Sequence, residues 1–543
     1  MATGEVGTVF VNAVLWVDGG SVPGALAVTD GRIVAVGEEA AALAGQAGEV
    51  VDAAGGLLLP AFGEGHAHPI FGGLELQGPA VRAQTTVEGI AAEVGRWAAE
   101  HPDEEWVLGA SYDPSLSPDG GFDASVLDEV VPDRPVLLRA ADYHTIWCNS
   151  EALRRAGVDK DTPDPRLGHI DRLPDGSPRG TLREWHACDL MFDIVPARGL
   201  DAQVQALADA CRAMNRVGIT WMQDAWVDDG DEEPYLALAA QDGLTVRSNL
   251  AFRADPDRWR AQLDDFPQRR KRIEDAGYDD LVTAHTVKFF ADGVIENGTA
   301  AVLDPYVGSC EHGMRVWEPE ALTEAVTAYD ALRFQVHIHA IGDEGIRSAL
   351  DAIAAARAAN PDWDRRPVIT HVQLVHPDDL PRFAELGVVA NFQAYWAQRD
   401  GLMDVLTVPR IGEERASLQY PLARLLRGTA AEPGRAVLSM GSDWPVSTNA
   451  PLDIIRVAVT RETVAGEPAS GWLPEQRLTL AEAIEMGTYG CAYQAFAEGR
   501  RGQLAVGNQA DLVLLDRDLT TLAPAEYLTT SVIGTWLAGR RVP

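Results

Sequence analysis

Five apolar, strand-like runs spaced along the chain each end in or contain a side chain of metal-ligand type, and that pattern restricts the fold more than any other feature. The first, residues 56–62, leads through Gly63-Glu64-Gly65 into His66-Ala67-His68. The others are residues 286–290 with Lys288 inside, 334–339 ending in His339, 367–371 ending in His371, and 436–443 ending in Asp443. Residues two apart on a strand share a face, so His66 and His68 can grip one ion at a strand's carboxyl end. An isolated His-x-His more often belongs to a solvent-facing loop, but five such runs in this order argue for strands that bring ligands to one place.

Lys288 is one of only three lysines, with Lys160 and Lys271, and it sits inside an apolar run. A buried ammonium is costly, so this lysine must be paired, neutral or modified. A neutral amine can add carbon dioxide, and the resulting carbamate can bridge two cations. The alternative is a structural lysine paired with Asp292 or Asp443.

Jointly these residues resemble the amidohydrolase superfamily of metal-dependent hydrolases, and above all its long-chain branch that includes N-substituted formamide deformylase. The likeness runs through residues 60–68, 142–153, 288–300, His339-Ala340-Ile341-Gly342-Asp343, His371, Gly441-Ser442-Asp443-Trp444-Pro445-Val446 and the tail 502–516. It implies that His66 and His68 bind a first metal, that carboxylated Lys288 bridges, that His339 and His371 hold a second metal, and that Asp443 is both ligand and general base. It implies one or two divalent ions, zinc first among them. Asp142, His144 and Trp147 would shape the substrate site, although a packed strand with a satisfied histidine fits that segment equally well. His337 shares a strand face with His339 one layer deeper, where it would support the ligands or the core. Asp292, Asp343 and Glu184 would orient ligands by hydrogen bonds. The chain departs from the family pattern at Glu64, where Asp is commoner, at Ala61 and Thr370, and in Val294-Ile295-Glu296-Asn297-Gly298, which bears on the substrate. His101, His169, His186, His285, His312 and His376 read as surface or ordinary residues.

From about residue 61 to 489 apolar runs alternate with helical patterns such as 204–217, 344–359 and 377–386. That alternation implies parallel βα units, and ligands at successive strand ends favour a closed, TIM-like (β/α)8 barrel over an open doubly wound sheet. Residues 1–60 and 490–543 have the turn-rich texture of small antiparallel sheets. Neither end has strands enough for a stable sheet alone, and together they can form one discontinuous β-sandwich, as the family does. Residues 78–200 are too long for an ordinary βα connection and are expected to be a subdomain inserted over the barrel mouth. The acidic stretch 228–233 reads as a solvated loop.

With 543 residues, 46% of them hydrophobic, the chain can bury more than one core. A formal charge of -36 argues against nucleic-acid or anionic-membrane partners, and disfavours highly anionic substrates unless the pocket is locally positive. Cys148, Cys188, Cys211, Cys310 and Cys491 are scattered and odd in number, which suits a reducing compartment. The first residues lack a basic leader and no run reaches membrane-spanning length, so a cytoplasmic protein is expected, with a small-molecule substrate as its partner and a homodimer left open.

The expected reaction is hydrolysis of an amide-type C–N bond in a linear secondary amide, such as an N-substituted formamide or N-acyl amine, by metal-activated hydroxide with Asp443 moving the proton. Neither G-x-S-x-G nor a Walker pattern competes. The same ligands would also serve a cyclic-amide hydrolase or a deaminase, and a non-catalytic relative of the fold is the remaining alternative.

Overall fold

In the computed structural model, which describes residues 6–428 and 435–543, eight parallel strands surround one core. They are Phe62–Ala67, Ile219–Val227, Arg247–Arg253, Val282–Phe290, Gln335–Ala340, Val368–His371, Val389–Phe392 and Val437–Met440. Each pairs in parallel with the next in chain order. Their side chains are buried almost without interruption, as expected of strands covered on both faces. First and eighth strands share no ladder among the described residues, yet at the carboxyl mouth the Asp443 amide donates to the His66 carbonyl (2.8 Å) and the His68 amide to that of Trp444 (2.7 Å). The result is a nearly closed α/β barrel.

Amphipathic helices cover it. Leu200–Arg216, for example, buries Ala206, Leu207, Ala210, Cys211 and Met214, one stripe at helical spacing. The pattern read over 344–359 is the helix Asp343–Ala359, whereas that over 377–386 divides into a 3-10 turn, Pro377–Asp379, and the short helix Leu380–Leu386.

Between the first two barrel strands lies a five-stranded sheet of Val107–Tyr112, Val136–Ala140, Thr145–Cys148, Pro178–Arg183 and His169–Arg172, in that spatial order. It has its own apolar cluster around Tyr112, Phe122, Leu138 and Trp147. The two ends of the chain meet in a separate eight-stranded sheet, joined where Leu57–Pro60 runs antiparallel to Leu512–Leu515. Phe10, Leu26 and Leu58 from one end bury against Leu512, Leu514 and Trp536 from the other, so each supplies the face that the other lacks.

A buried ion pair fastens this sheet to the barrel: Arg247 Nε, on the third strand, donates to Asp511 at 2.9 Å, with side-chain exposures of 7% and 3%. Asp511 also accepts from the Ala538 amide at 2.7 Å. Removing one partner of such a pair strands the other, so Asp511→Ala is expected to cost about 3 kcal/mol in denaturant unfolding. A loss below about 0.5 kcal/mol would mean that Asp280, at 2.7 Å from Arg247, carries the charge alone.

The acidic stretch 228–233 is not simply a solvated loop. Glu232 is buried and takes Arg269 at 2.6 Å and Arg272 at 2.9 Å, both from the helix Trp259–Asp275. All five cysteines are unpaired. Among the described residues no helix is long and apolar enough to cross a membrane.

Candidate metal centre

The strand ends break sharply where the proposed ligands stand. His371 and Asp443 have φ of 77° and 57°, a left-handed conformation that costs non-glycine residues of order 1–3 kcal/mol and turns their side chains out of the strand direction. Glu64 locks two of these ends together, accepting from the His66 amide at 3.0 Å and the Ser442 amide at 2.9 Å. Burial raises its carboxyl to about 7 despite those bonds.

His66, His68 and Asp443 each offer a ligand atom within 4.8 Å of the others. Asp443 Oδ1 lies 3.4 Å from His66 Nε2 and 3.1 Å from His68 Nε2. Burial, then the Lys288 charge, push His66 well below its ordinary range, and burial also lowers His68. Burial alone would raise Asp443, but hydrogen bonding and charge from His66 and His68 hold it well below the usual carboxylate range. Two neutral imidazoles and one carboxylate are the protonation states a divalent ion requires. His337 Nε2 stands 2.7 Å from His66 Nδ1 and so fixes the ring from behind.

The other candidates adjoin this group. The His371 ring lies 5.0 Å from that of His66 and 4.4 Å from that of His339. Gln393 Oε1 holds His371 Nδ1 at 2.8 Å, while His339 Nε2 lies 3.2 Å from the Gly293 carbonyl oxygen. Lys288 is fully buried, and its Nζ has no hydrogen-bond partner among the described residues. It lies 4.4 Å from the centre of the Phe290 ring. Neither Asp292 nor Asp443 pairs with it, against the structural alternative. Burial brings its amine down to about 7, with the Asp443 charge opposing.

Asp292 supports rather than binds: it accepts from the amides of Ala301, Ile341 and Gly342 at 3.0, 3.1 and 2.8 Å, bracing the loop beyond His339. Its Oδ1 lies 3.7 Å from His339 Nε2, and burial raises it to about 8. Two expectations are corrected. The Asp343 carboxylate accepts from the Leu303 amide at 2.9 Å and touches no proposed ligand, because it opens a helix and meets the loop that follows the fourth strand. Trp147 is buried against Tyr112 and Phe122 with its indole nitrogen on the Asp123 carbonyl at 3.0 Å, so it builds the insert's core and not the pocket wall.

Asp142 and His144 do reach the site. They line a cavity of about 630 Å³ together with His339, His371 and Asp443, and a second of about 250 Å³ that also includes His66 and His68. His144 Nδ1 lies 2.7 Å from Glu184 Oε2; burial lowers this histidine, but the carboxylate outweighs it and raises it to about 9. The unusual loop residue Asn297 donates to Thr145 Oγ1 at 3.0 Å and accepts from Arg183 at 2.9 Å, tying the fourth-strand loop to the insert. Sequence reasoning gave no signal for Gln393, or for Trp185 and Trp226 on the smaller cavity's wall, since each is chosen by a spatial neighbour far away in the chain.

The chain is similar to several known proteins. Protein LONG AFTER FAR-RED 3 of Arabidopsis thaliana is 30% identical over 98% of this chain and 90% of its own. N-substituted formamide deformylase of Arthrobacter pascens is 27% identical over 95% of this chain and 94% of its own. The fold is shared with an uncharacterized metal-dependent hydrolase from Pyrococcus horikoshii OT3, at a TM-score of 0.72 and 22% identity, over 95% of this chain and 98% of that one. A family model described as the amidohydrolase family matches residues 49–543. The chain belongs to the amidohydrolase family.

Proposed function

We propose that this protein is a metal-dependent hydrolase that cleaves the amide-type C–N bond of a linear secondary amide, such as an N-substituted formamide or an N-acyl amine. The observation that carries this reading is the buried trio His66, His68 and Asp443, whose ligand atoms lie within 4.8 Å of one another on the wall of a cavity. The trio fits a divalent ion in donor type and charge state, and zinc suits its nitrogen and oxygen donors. His339 and His371 would hold a second ion if Lys288 carries a carbamate, since an ammonium there would repel it. A divalent ion held by these residues would lower the pKa of bound water to about 7 and polarise the carbonyl under attack.

The chain's own residues do the rest. Asp443 accepts the proton of the attacking water and returns it to the leaving nitrogen. His144, engaged through Nδ1 with Glu184, keeps its other nitrogen for donation to the substrate carbonyl oxygen as charge develops there. The donating form exists below about 9, so kcat/KM is expected to fall as pH rises through that value. His144→Gln should remove this alkaline limb, and an unchanged profile in that variant would take His144 out of the reaction.

The likeness to a formamide deformylase supports an acyclic amide as substrate. The test is a hydrolysis screen of N-benzylformamide, longer N-acyl amines, lactams and amino-heterocycles, run with metal analysis. Turnover of the linear amides that disappears on chelation is expected. Turnover confined to lactams or amino-heterocycles would move the assignment to a cyclic-amide hydrolase or deaminase, and metal-bound protein inert on every class would favour a non-catalytic relative.

A further inference from the structure

The smaller cavity holds a guanidinium that the chemistry above does not use. Arg139 stands on the insert strand Val136–Ala140. Its Cζ lies 4.8 Å from the ring centre of Phe71, 5.3 Å from that of Tyr143 and 4.2 Å from that of Phe192. Aromatic faces attract the cation but give its N–H groups no directional acceptor. Among the described residues Arg139 makes no ion pair and no side-chain hydrogen bond.

Neighbouring charges are engaged elsewhere. Asp228 takes Arg253 at 2.8 and 3.1 Å, and Glu184 takes His144 at 2.7 Å. Asp189 shares the wall without pairing with Arg139, and burial raises it above the usual carboxylate range. Much of the remaining wall is aromatic: Trp185 meets Phe290 edge-on at 3.9 Å and lies 5.1 Å from Trp226. The same cavity reaches His66, His68 and Asp443, and Phe71 stacks on His68 at 5.8 Å, so one small molecule can touch the ligand trio and Arg139 together. In a chain of net charge -36, which repels anions at long range, an unpaired guanidinium beside the reacting centre is a local exception.

We propose that Arg139 is a specificity-determining residue that binds a carboxylate of the substrate, which is then a secondary amide carrying a flat apolar group and an anionic end. This rests on the amide-hydrolysis reading. The apolar group packs on the tryptophan-lined wall, and the carboxylate takes the N–H donors of Arg139 in paired, charge-assisted bonds.

N-formylphenylalanine and its primary amide differ only at the carboxylate and serve as probes. Metal-replete wild type is expected to show kcat/KM at least about tenfold higher for the acid, a ratio that falls to about one in Arg139→Gln, chiefly through KM. Arg139→Lys should keep part of the preference, since it keeps the charge. Equal kcat/KM in wild type, or Arg139→Gln lowering both probes by one factor, would overturn the proposal and leave Arg139 a packing cation. Calorimetric binding of both probes separates this from the parent reading. Tighter binding of the acid by wild type but not by Arg139→Gln supports the carboxylate site even where neither probe is turned over, a result that counts against hydrolysis alone; equal binding overturns it.

Discussion

Asp443→Asn is expected to lower kcat at least about 10²-fold while the protein still folds and still takes up divalent ions. The amide oxygen of Asn can replace a carboxylate oxygen as a weak ligand beside His66 and His68, whose rings are held independently by His337 and by the strand end. It cannot accept a proton. The depressed pKa of Asp443, set by its two histidine neighbours against burial, means that the wild-type carboxylate stays ionised at neutral pH, so the loss should appear across the whole neutral range. Turnover and bound metal measured on the same preparation check this. Near-normal turnover would move the base elsewhere, with His337 the next residue to test because its Nδ1 is buried without a partner among the described residues.

Lys288 gives the second large effect. If its carbamate bridges two ions, Lys288→Met should cost about 10²-fold or more in kcat/KM, because the charge stabilisation supplied by the second ion disappears with the bridge. The metal-free variant should be at least as stable as metal-free wild type, since methionine replaces a buried amine that has no hydrogen-bond partner among the described residues. Lys288→Ala should regain part of its activity with added formate or acetate, which can occupy the vacated bridge. A variant that is destabilised but keeps full activity would instead make Lys288 a structural residue.

The barrel, and the placement of His66, His68, His339, His371 and Asp443 at its strand ends, were legible because both depend on local patterns: an apolar run, a break, and a histidine or aspartate at the break. The turn-rich ends were legible as sheet, but the pairing of Leu57–Pro60 with Leu512–Leu515 was not, since nothing near either segment specifies a partner so far away. Trp147 was misread because Thr145–Cys148 is buried on both faces, which erases the alternation that distinguishes pocket from core. Asp343 was misread for another reason: its neighbours in sequence belong to the site, but its carboxylate answers an amide 40 residues away. Glu232 looked like one more acid in a polar run, and only the arginines of a later helix explain its burial. Gln393 and Arg139 carry no local mark at all, because their significance lies in what stands opposite.

The most direct test of the account is a metal titration of stripped protein followed by hydrolysis of N-benzylformamide, with bound ions counted at each point. Zinc should restore turnover from a baseline near zero, rising with occupancy and saturating at two ions per chain in protein prepared with bicarbonate. Saturation at one ion with an unmodified Lys288 would remove the bridge and keep the hydrolase. Full turnover in metal-free protein would contradict the account at its centre.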